Sequence, residues 1–67
     1  MNEGTLTTWI ADRGFGFIRP DGSGSQDIFV HISDFTDSQE PTIGAKYVFD
    51  IAHKNNRLRA ISVRSAS

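Results

Sequence analysis

The sequence contains no cysteine, so neither a disulfide bond nor a thiolate-ligated metal can reinforce the fold. Its two histidines argue against the Cys and His ligand sets of a structural zinc site, and we expect no cofactor. No apolar run approaches the length of a membrane span, and residues 1–4 lack the basic start and apolar stretch of a signal peptide. These absences predict a cytoplasmic protein with no membrane contact by this segment.

Catalytic patterns are missing as well. Residues 21–25 (DGSGS) lack the lysine of a phosphate-binding loop, and they lie between two predicted strands with no helix after them. Serine, histidine and aspartate all occur, but nothing in their spacing sets a nucleophile beside a base. We therefore expect a binding protein rather than an enzyme.

The chain also has little length and little net charge, with 67 residues and a formal charge of -1. A chain of this length forms one domain, here residues 1–67, and buries only about 60% of the surface that its unfolded form exposes. The charges are uneven, because residues 1–44 carry two basic and seven acidic side chains, whereas residues 45–67 carry five basic and one acidic. Such asymmetry can point to nucleic acid, although both signs can equally serve to keep a small domain soluble.

What the sequence does contain is a series of short β-rich runs separated by turn residues. Five strands are predicted, over residues 5–10, 15–19, 27–31, 46–53 and 58–64. Residues 32–35 are predicted to form a short helical turn with Ser33 as its cap, and Tyr47, Phe49 and Ile51 alternate towards a core. The even spacing predicts a closed or nearly closed all-β barrel, and the pattern alone leaves an SH3-like and an OB-type barrel both open.

Two of the predicted strands each carry rings on a single face. Because side chains alternate along a strand, Phe15 and Phe17 share one face of the run FGFI, and Phe29 and His31 share one face of the run IFVH. If the two strands are neighbours, the four rings lie side by side. The opposite faces carry the aliphatic residues Ile18, Ile28 and Val30.

Either face of these two strands can form the core. A Phe-x-Phe strand is more often buried than exposed, which would leave the aliphatic residues outside. His31 favours the opposite arrangement, because a titratable ring is costly to bury without partners. The rings would then form an exposed apolar patch, which a monomer rarely carries without a use. Base stacking is a suitable use, since each base stacked on a ring contributes about 1–3 kcal/mol.

The runs RGFGFI (13–18) and DIFVH (27–31) resemble the paired RNA-binding motifs of the cold-shock domain family, which usually reads KGFGFI and then VFVHF. The likeness covers nearly the whole chain and includes Trp9, Ser33 and Gly44. It implies a five-stranded antiparallel OB-fold barrel that binds single-stranded nucleic acid. It also implies base stacking by Trp9, Phe15, Phe17, Phe29 and His31, and a phosphate or base-edge contact from Arg13.

The chain departs from the family pattern at the rim of the predicted surface. The run TWIA stands where the family usually reads KWFN, and the distance from Trp9 to Gly14 is one residue short. Ile32 replaces a common aromatic, and the loop at 36–43 is shorter than usual and contains no aromatic. We therefore expect a shorter footprint and weaker binding than in typical members. In its short loop, the chain is similar to cold-shock domains that form the N-terminal part of larger bacterial proteins.

Alternation also assigns residues at the edges of this surface. Counted from Leu6, it places Trp9 on the exposed side of the first strand. Arg57 is a candidate for nucleic-acid binding, and alternation leaves open whether Arg57 and Arg59 form a rim or only a soluble face. A separate set of expectations is that Lys46 and Lys54 are solvated, that Asp27 holds the loop before its strand, and that Phe35 packs on the core.

The leading hypothesis is a monomeric module that binds single-stranded RNA or DNA, keeps it from refolding and releases it readily. The alternative is a protein-interaction barrel that uses the same aromatic patch to dock a peptide or another domain.

Overall fold

The computed structural model describes residues 2–22, 26–36 and 40–66. Its elements are β1 (Asn2–Ile10), β2 (Phe15–Pro20), β3 (Ile28–His31), a 3-10 turn (Ile32–Asp34), β4 (Lys46–Lys54) and β5 (Arg57–Ser65). All five predicted strands are therefore confirmed, with β1 beginning earlier than expected. Parts of the predicted loops, residues 23–25 and 37–39, lie outside the described residues. No helical segment within the described ranges has the length and apolar character needed to cross a bilayer.

The strands close into a barrel in the order β1-β2-β3-β5-β4. Four of the pairings are antiparallel, and the pairing of β3 with β5 is parallel, with Phe29 opposite Arg59. Directions cannot alternate all the way around a closed ring of five strands, so one parallel pairing is required. The predicted all-β, five-stranded OB-fold barrel is confirmed, and this one pairing amends its fully antiparallel description.

The core decides which face of each strand points inward. The fully buried side chains are Leu6, Ile18, Val30, Phe49 and Val63, and Ile28, Tyr47 and Ala60 complete the cluster. The aliphatic faces of β2 and β3 are thus the inner ones, and their rings lie on the outside. This is the arrangement expected from the cost of burying His31. It contradicts the alternative in which the rings form the core.

A β-bulge in β1 changes which side chains face outward. Leu6 lies opposite Ile18 and Thr8 lies opposite Phe17, so β1 has one more residue than β2 at this point, namely Thr7. An inserted residue shifts the alternation of everything after it by one. After the bulge, Thr8 and Ile10 therefore point outward.

β5 gains one residue relative to β4 between Arg64 and Ile61, where Ser62 has a left-handed φ of 52°. The extra residue lets Ala60 and Val63 both point into the core although three positions separate them. Simple alternation along β5 would have placed one of the two outside.

Ile51 does not join the core as the alternation of β4 predicted, since it is 36% exposed. Tyr47 and Phe49 are buried as expected. The pairing of β4 with β1 ends at Phe49, and beyond it β4 pairs with β5 alone. Ile51 therefore lies on a hairpin that extends past the closed part of the barrel.

The predicted helical turn is confirmed, but its cap is His31 rather than Ser33. The Nδ1 atom of His31 accepts a hydrogen bond from the backbone N–H of Ser33 at 3.1 Å. The carboxylate of Asp34 accepts one in return from the backbone N–H of His31 at 2.9 Å. This reciprocal pair satisfies two backbone donors at the start of the turn.

Candidate nucleic-acid interface

Four rings lie together on the outer face of β2 and β3. Phe15 is opposite His31, and Phe17 is opposite Phe29, and residues directly opposite each other in an antiparallel pair project to the same side. The centroids of Phe15 and Phe29 are 5.6 Å apart, and those of Phe17 and Phe29 are 6.1 Å apart. Each ring is half-buried. We call Phe15, Phe17, Phe29 and His31 the aromatic platform.

The cap of the 3-10 turn fixes the ring of His31. Its Nδ1 atom accepts from the Ser33 N–H and also lies 3.0 Å from the Ser33 hydroxyl oxygen. A neutral imidazole that accepts at Nδ1 carries its proton at Nε2. The ring thus joins the aromatic platform with a set orientation.

Arg59 is a contact of the aromatic platform that the sequence left undecided. Its Cζ atom is 5.7 Å from the centroid of the Phe29 ring, within the range of a cation–π interaction. Its Nε donates to Oδ2 of Asp34 at 2.9 Å. In the sequence, only the alternation along β5 pointed to Arg59. It predicted the same exposed face for Arg57 and Arg59 and did not distinguish between them.

Arg57 is exposed at the start of β5, beside an open groove. The groove runs from the Phe17 and Phe29 side of the aromatic platform to the tip of the β4–β5 hairpin, where Lys54 also lines it. Cationic side chains therefore lie along a depression that begins at the rings. Such a placement suits contact with a phosphate backbone that passes over the platform.

The structure corrects the placement of Trp9. The bulge in β1 puts Trp9 opposite Gly16, on the inner side of the sheet, where its ring packs against the core and meets Phe35 edge to face at 5.7 Å. Alternation from Leu6 failed because it assumed an unbroken strand. Aligned on Gly14 without a gap, Trp9 stands at the phenylalanine of the family's KWFN, and Thr8 stands at its tryptophan.

The β1–β2 turn lies at one end of the aromatic platform. The backbone N–H groups of Arg13 and Gly14 both donate to the carbonyl of Ile10, and the side chain of Arg13 is exposed. Ile10 lies opposite Phe15 and is 39% exposed, so it extends the apolar surface beside that ring. Unbroken alternation from Leu6 would place Ile10 on the inner side, and the bulge reverses it.

Asp27 has the loop-holding role that was expected of it. It accepts hydrogen bonds from the hydroxyl of Thr7 and from Nε of Arg19, both at 3.0 Å. These bonds tie the bulge of β1 and the end of β2 to the start of β3. Phe35 packs on the core, as expected. Lys46 and Lys54 are exposed, as expected, and Lys46 also forms an ion pair with Asp21, whose side chain is likewise about half exposed.

No three His, Asp or Glu side chains come together as a metal site anywhere in residues 2–22, 26–36 and 40–66. The chemistry that these contacts offer is instead the binding of flat, polyanionic molecules, because rings and cations lie next to each other. A closed OB-fold barrel with rings on its outer sheet is typical of the class of oligonucleotide-binding modules.

Residues 2–66 match the family described as the 'Cold-shock' DNA-binding domain. The chain is 37% identical to a probable cold shock protein A of Mycobacterium tuberculosis, over 97% of this chain and 98% of that protein. It is 36% identical to cold shock protein CspA of Rhizobium meliloti, over 98% of this chain and all of that protein. The chain also superposes on Drosophila Unr CSD456 with a TM-score of 0.84 and 27% identity, over 98% of this chain and 26% of that one.

The chain belongs to the cold-shock domain family, as the two motifs had indicated. That family generally binds nucleic acid and is not a family of enzymes. The likeness of its short loop to domains that head larger bacterial proteins stays a prediction.

Proposed function

We propose that this chain binds single-stranded RNA or DNA by stacking unpaired bases on the aromatic platform. The observation that carries the proposal is the cross-strand pairing of Phe15 with His31 and of Phe17 with Phe29 on the outer face of the barrel. Rings in that position are half-buried rather than used in the core. They are available to a base that lies flat on the sheet.

Stacking explains why such a surface accepts many sequences. Every base has a π-face, so a ring contributes about 1–3 kcal/mol whichever base it meets. The phosphates contribute through Arg13 at one end of the aromatic platform and through Arg57 in the groove at the other. Neither contact reads a base edge in this proposal, and the sequence selectivity of the platform itself is low.

The footprint is short because the rim carries few rings. Thr8 lies where an aromatic would extend the aromatic platform beyond Phe17, and Trp9 supports the sheet from its inner side instead. Weak binding with easy release suits an RNA chaperone, which must hold unpaired strands and let them go. The proposal places this activity in the cytoplasm, with the chain acting as a monomer.

The test is a titration of a fluorescein-labelled heptamer of thymidine at low salt, followed by fluorescence anisotropy. We expect saturable binding of the single strand and much weaker binding of a blunt hairpin duplex that stays fully paired at the same salt, because its bases are already stacked and paired. Absence of single-strand binding at low salt would overturn the proposal and leave the protein-interaction barrel as the better explanation of the exposed rings. Equal binding of strand and duplex would also contradict stacking.

A further inference from the structure

Arg59 is held in place from two sides. On β5 it lies opposite Phe29, and its guanidinium carbon is 5.7 Å from the centroid of that ring. Its Nε donates to the carboxylate of Asp34 at 2.9 Å, and the side chains of Arg59 and Asp34 are only 28% and 10% exposed. An arginine held in this way loses little further conformational freedom when it binds a ligand.

Asp34 is itself fixed by the 3-10 turn. The same Oδ2 atom that accepts from Arg59 also accepts from the backbone N–H of His31 at 2.9 Å. The carboxylate therefore couples the position of Arg59 to the strand that carries two rings of the aromatic platform. A ligand that lies on those rings meets the guanidinium at a defined place.

The terminal nitrogens of Arg59 remain available. Asp34 takes the Nε–H, and among the described residues neither Nη atom donates a hydrogen bond to the protein. The end of a guanidinium presents two parallel N–H groups, and this pair matches two neighbouring acceptors on one ligand edge. Because the guanidinium lies over the face of Phe29, whose centroid is 6.1 Å from that of Phe17, this pair lies beside a base that stacks on Phe17.

We propose that Arg59 reads a guanine base, donating from Nη1 and Nη2 to O6 and N7 of a guanine stacked on the aromatic platform. Guanine presents those two acceptors side by side, and arginine is their commonest protein partner. Adenine presents an amino donor beside N7, and thymine and uracil present a single carbonyl on that edge. The proposal rests on the proposed function, and it adds one selective position to a surface that otherwise accepts any base.

A base rather than a phosphate is the partner that the position favours. Both arginines line the groove, but the guanidinium of Arg59 lies over the face of Phe29, whereas Arg57 is exposed at the start of β5. A base on the neighbouring ring lies in the plane of platform contacts that Arg59 already joins, whereas Arg57 has no ring contact among the described residues. The two partners also differ in their effect on sequence preference, which the experiment uses.

The experiment measures Kd for heptamers of thymidine in which one position at a time is guanine, adenine or cytosine. In at least one position we expect guanine to bind about five-fold tighter or more than adenine, which controls for the stronger stacking of purines. Arg59→Lys keeps the charge and removes the fork, so the guanine-to-adenine ratio should fall to about one. Arg57→Lys is the matched control and should leave that ratio unchanged.

Each outcome decides between the alternatives. Wild-type protein that prefers no guanine at any position, or that prefers cytosine, overturns the proposal without any variant. A uniform loss of affinity across all heptamers in Arg59→Lys overturns it in favour of a phosphate contact. Thermal unfolding shows whether Arg59→Lys is folded, and Arg59→Met provides a second variant that keeps the stem against Phe29. Failure of every heptamer to bind is a failure of the proposed function instead.

Discussion

Thr8 lies directly opposite Phe17 across β1 and β2, on the outer face of the barrel. The bulge at Thr7 produces this relationship, because it moves Thr8 outward and sends Trp9 to the inner side. The position beside Phe17 is therefore on the surface that carries the rings, and it is filled by a small polar side chain. This is the structural reason for expecting a short footprint.

Replacing Thr8 with tryptophan should extend the aromatic platform by one ring. We expect Thr8→Trp to tighten binding of a thymidine heptamer by up to the ~1–3 kcal/mol that one stacked base contributes. Thr42→Trp is the matched control, since Thr42 is exposed in the loop before β4 and pairs with neither β2 nor β3, so it should add nothing. Anisotropy titration of both variants gives the answer. If the two variants bind alike, the outward placement of Thr8 is of no consequence for binding.

Two rings of the aromatic platform should be needed for binding but not for folding. Phe17→Ala and Phe29→Ala should each weaken oligonucleotide binding by about 1–3 kcal/mol while the protein stays folded. Ile43→Ala is the control, because Ile43 is 60% exposed and contributes no ring. Isothermal titration and circular dichroism measure the two properties. Collapse of the fold in both phenylalanine variants would mean that these rings serve the core.

Trp9 should matter for stability. Its ring meets Phe35 edge to face, and Phe35 in turn meets Tyr47 at 5.5 Å. Trp9→Ala should lower the free energy of unfolding by more than the ~0.5–1.5 kcal/mol of a ring pair. The loss should stay below the ~3–5 kcal/mol of a fully buried aromatic. Urea unfolding followed by circular dichroism measures it. A variant of unchanged stability that has lost its affinity for oligonucleotides would return Trp9 to the stacking role first expected of it.

Gly16 should tolerate no side chain. A Cβ atom there would lie far inside van der Waals contact of the Thr8 carbonyl oxygen and 2.8 Å from Cε3 of Trp9. Gly16→Ala should therefore unfold the protein or destabilise it severely, because both neighbours belong to the sheet. Gly22→Ala is the control, since Gly22 has a φ of 78° but no described residue within 4 Å of an added Cβ. Its cost should be the smaller one of backbone strain, about 1–2 kcal/mol. Thermal unfolding of both variants compares them.

Binding should depend only gently on salt. The ion pairs among the described residues already engage Arg19, Lys46 and Arg59 with carboxylates. If Arg13, Lys54 and Arg57 each neutralise one phosphate, log affinity should fall with log salt at a slope of about 2, from roughly 0.7 per phosphate on a single strand. Titrations of the heptamer across a salt series measure the slope. A much steeper dependence would indicate many ion pairs and contradict a stacking-dominated interface.

The two strands β2 and β3, and the rings that share one face of each, could be predicted from the sequence. Strict alternation assigns Phe15 and Phe17 to one face, and β2 and β3 contain no irregularity that breaks it. The turn at Asn55 and Asn56 also follows a local rule, because both residues adopt the left-handed φ that a two-residue hairpin turn requires. Where the chain obeys a local rule, the residues alone predict the structure.

The sequence by itself thus determined the five strands, the grouping of the rings on shared faces and the family. Only the tertiary structure decided that those faces point outward and where Trp9, Ile10 and Arg59 lie. A bulge depends on how β1 meets β2, and the contact of Arg59 with Phe29 depends on the closure of the barrel between β3 and β5. The contact of Arg59 with Phe29 has no signal in local spacing, because it joins residues that only the folded barrel brings together. The placement of Trp9 has one, its short distance to Gly14, but alternation along β1 points the other way.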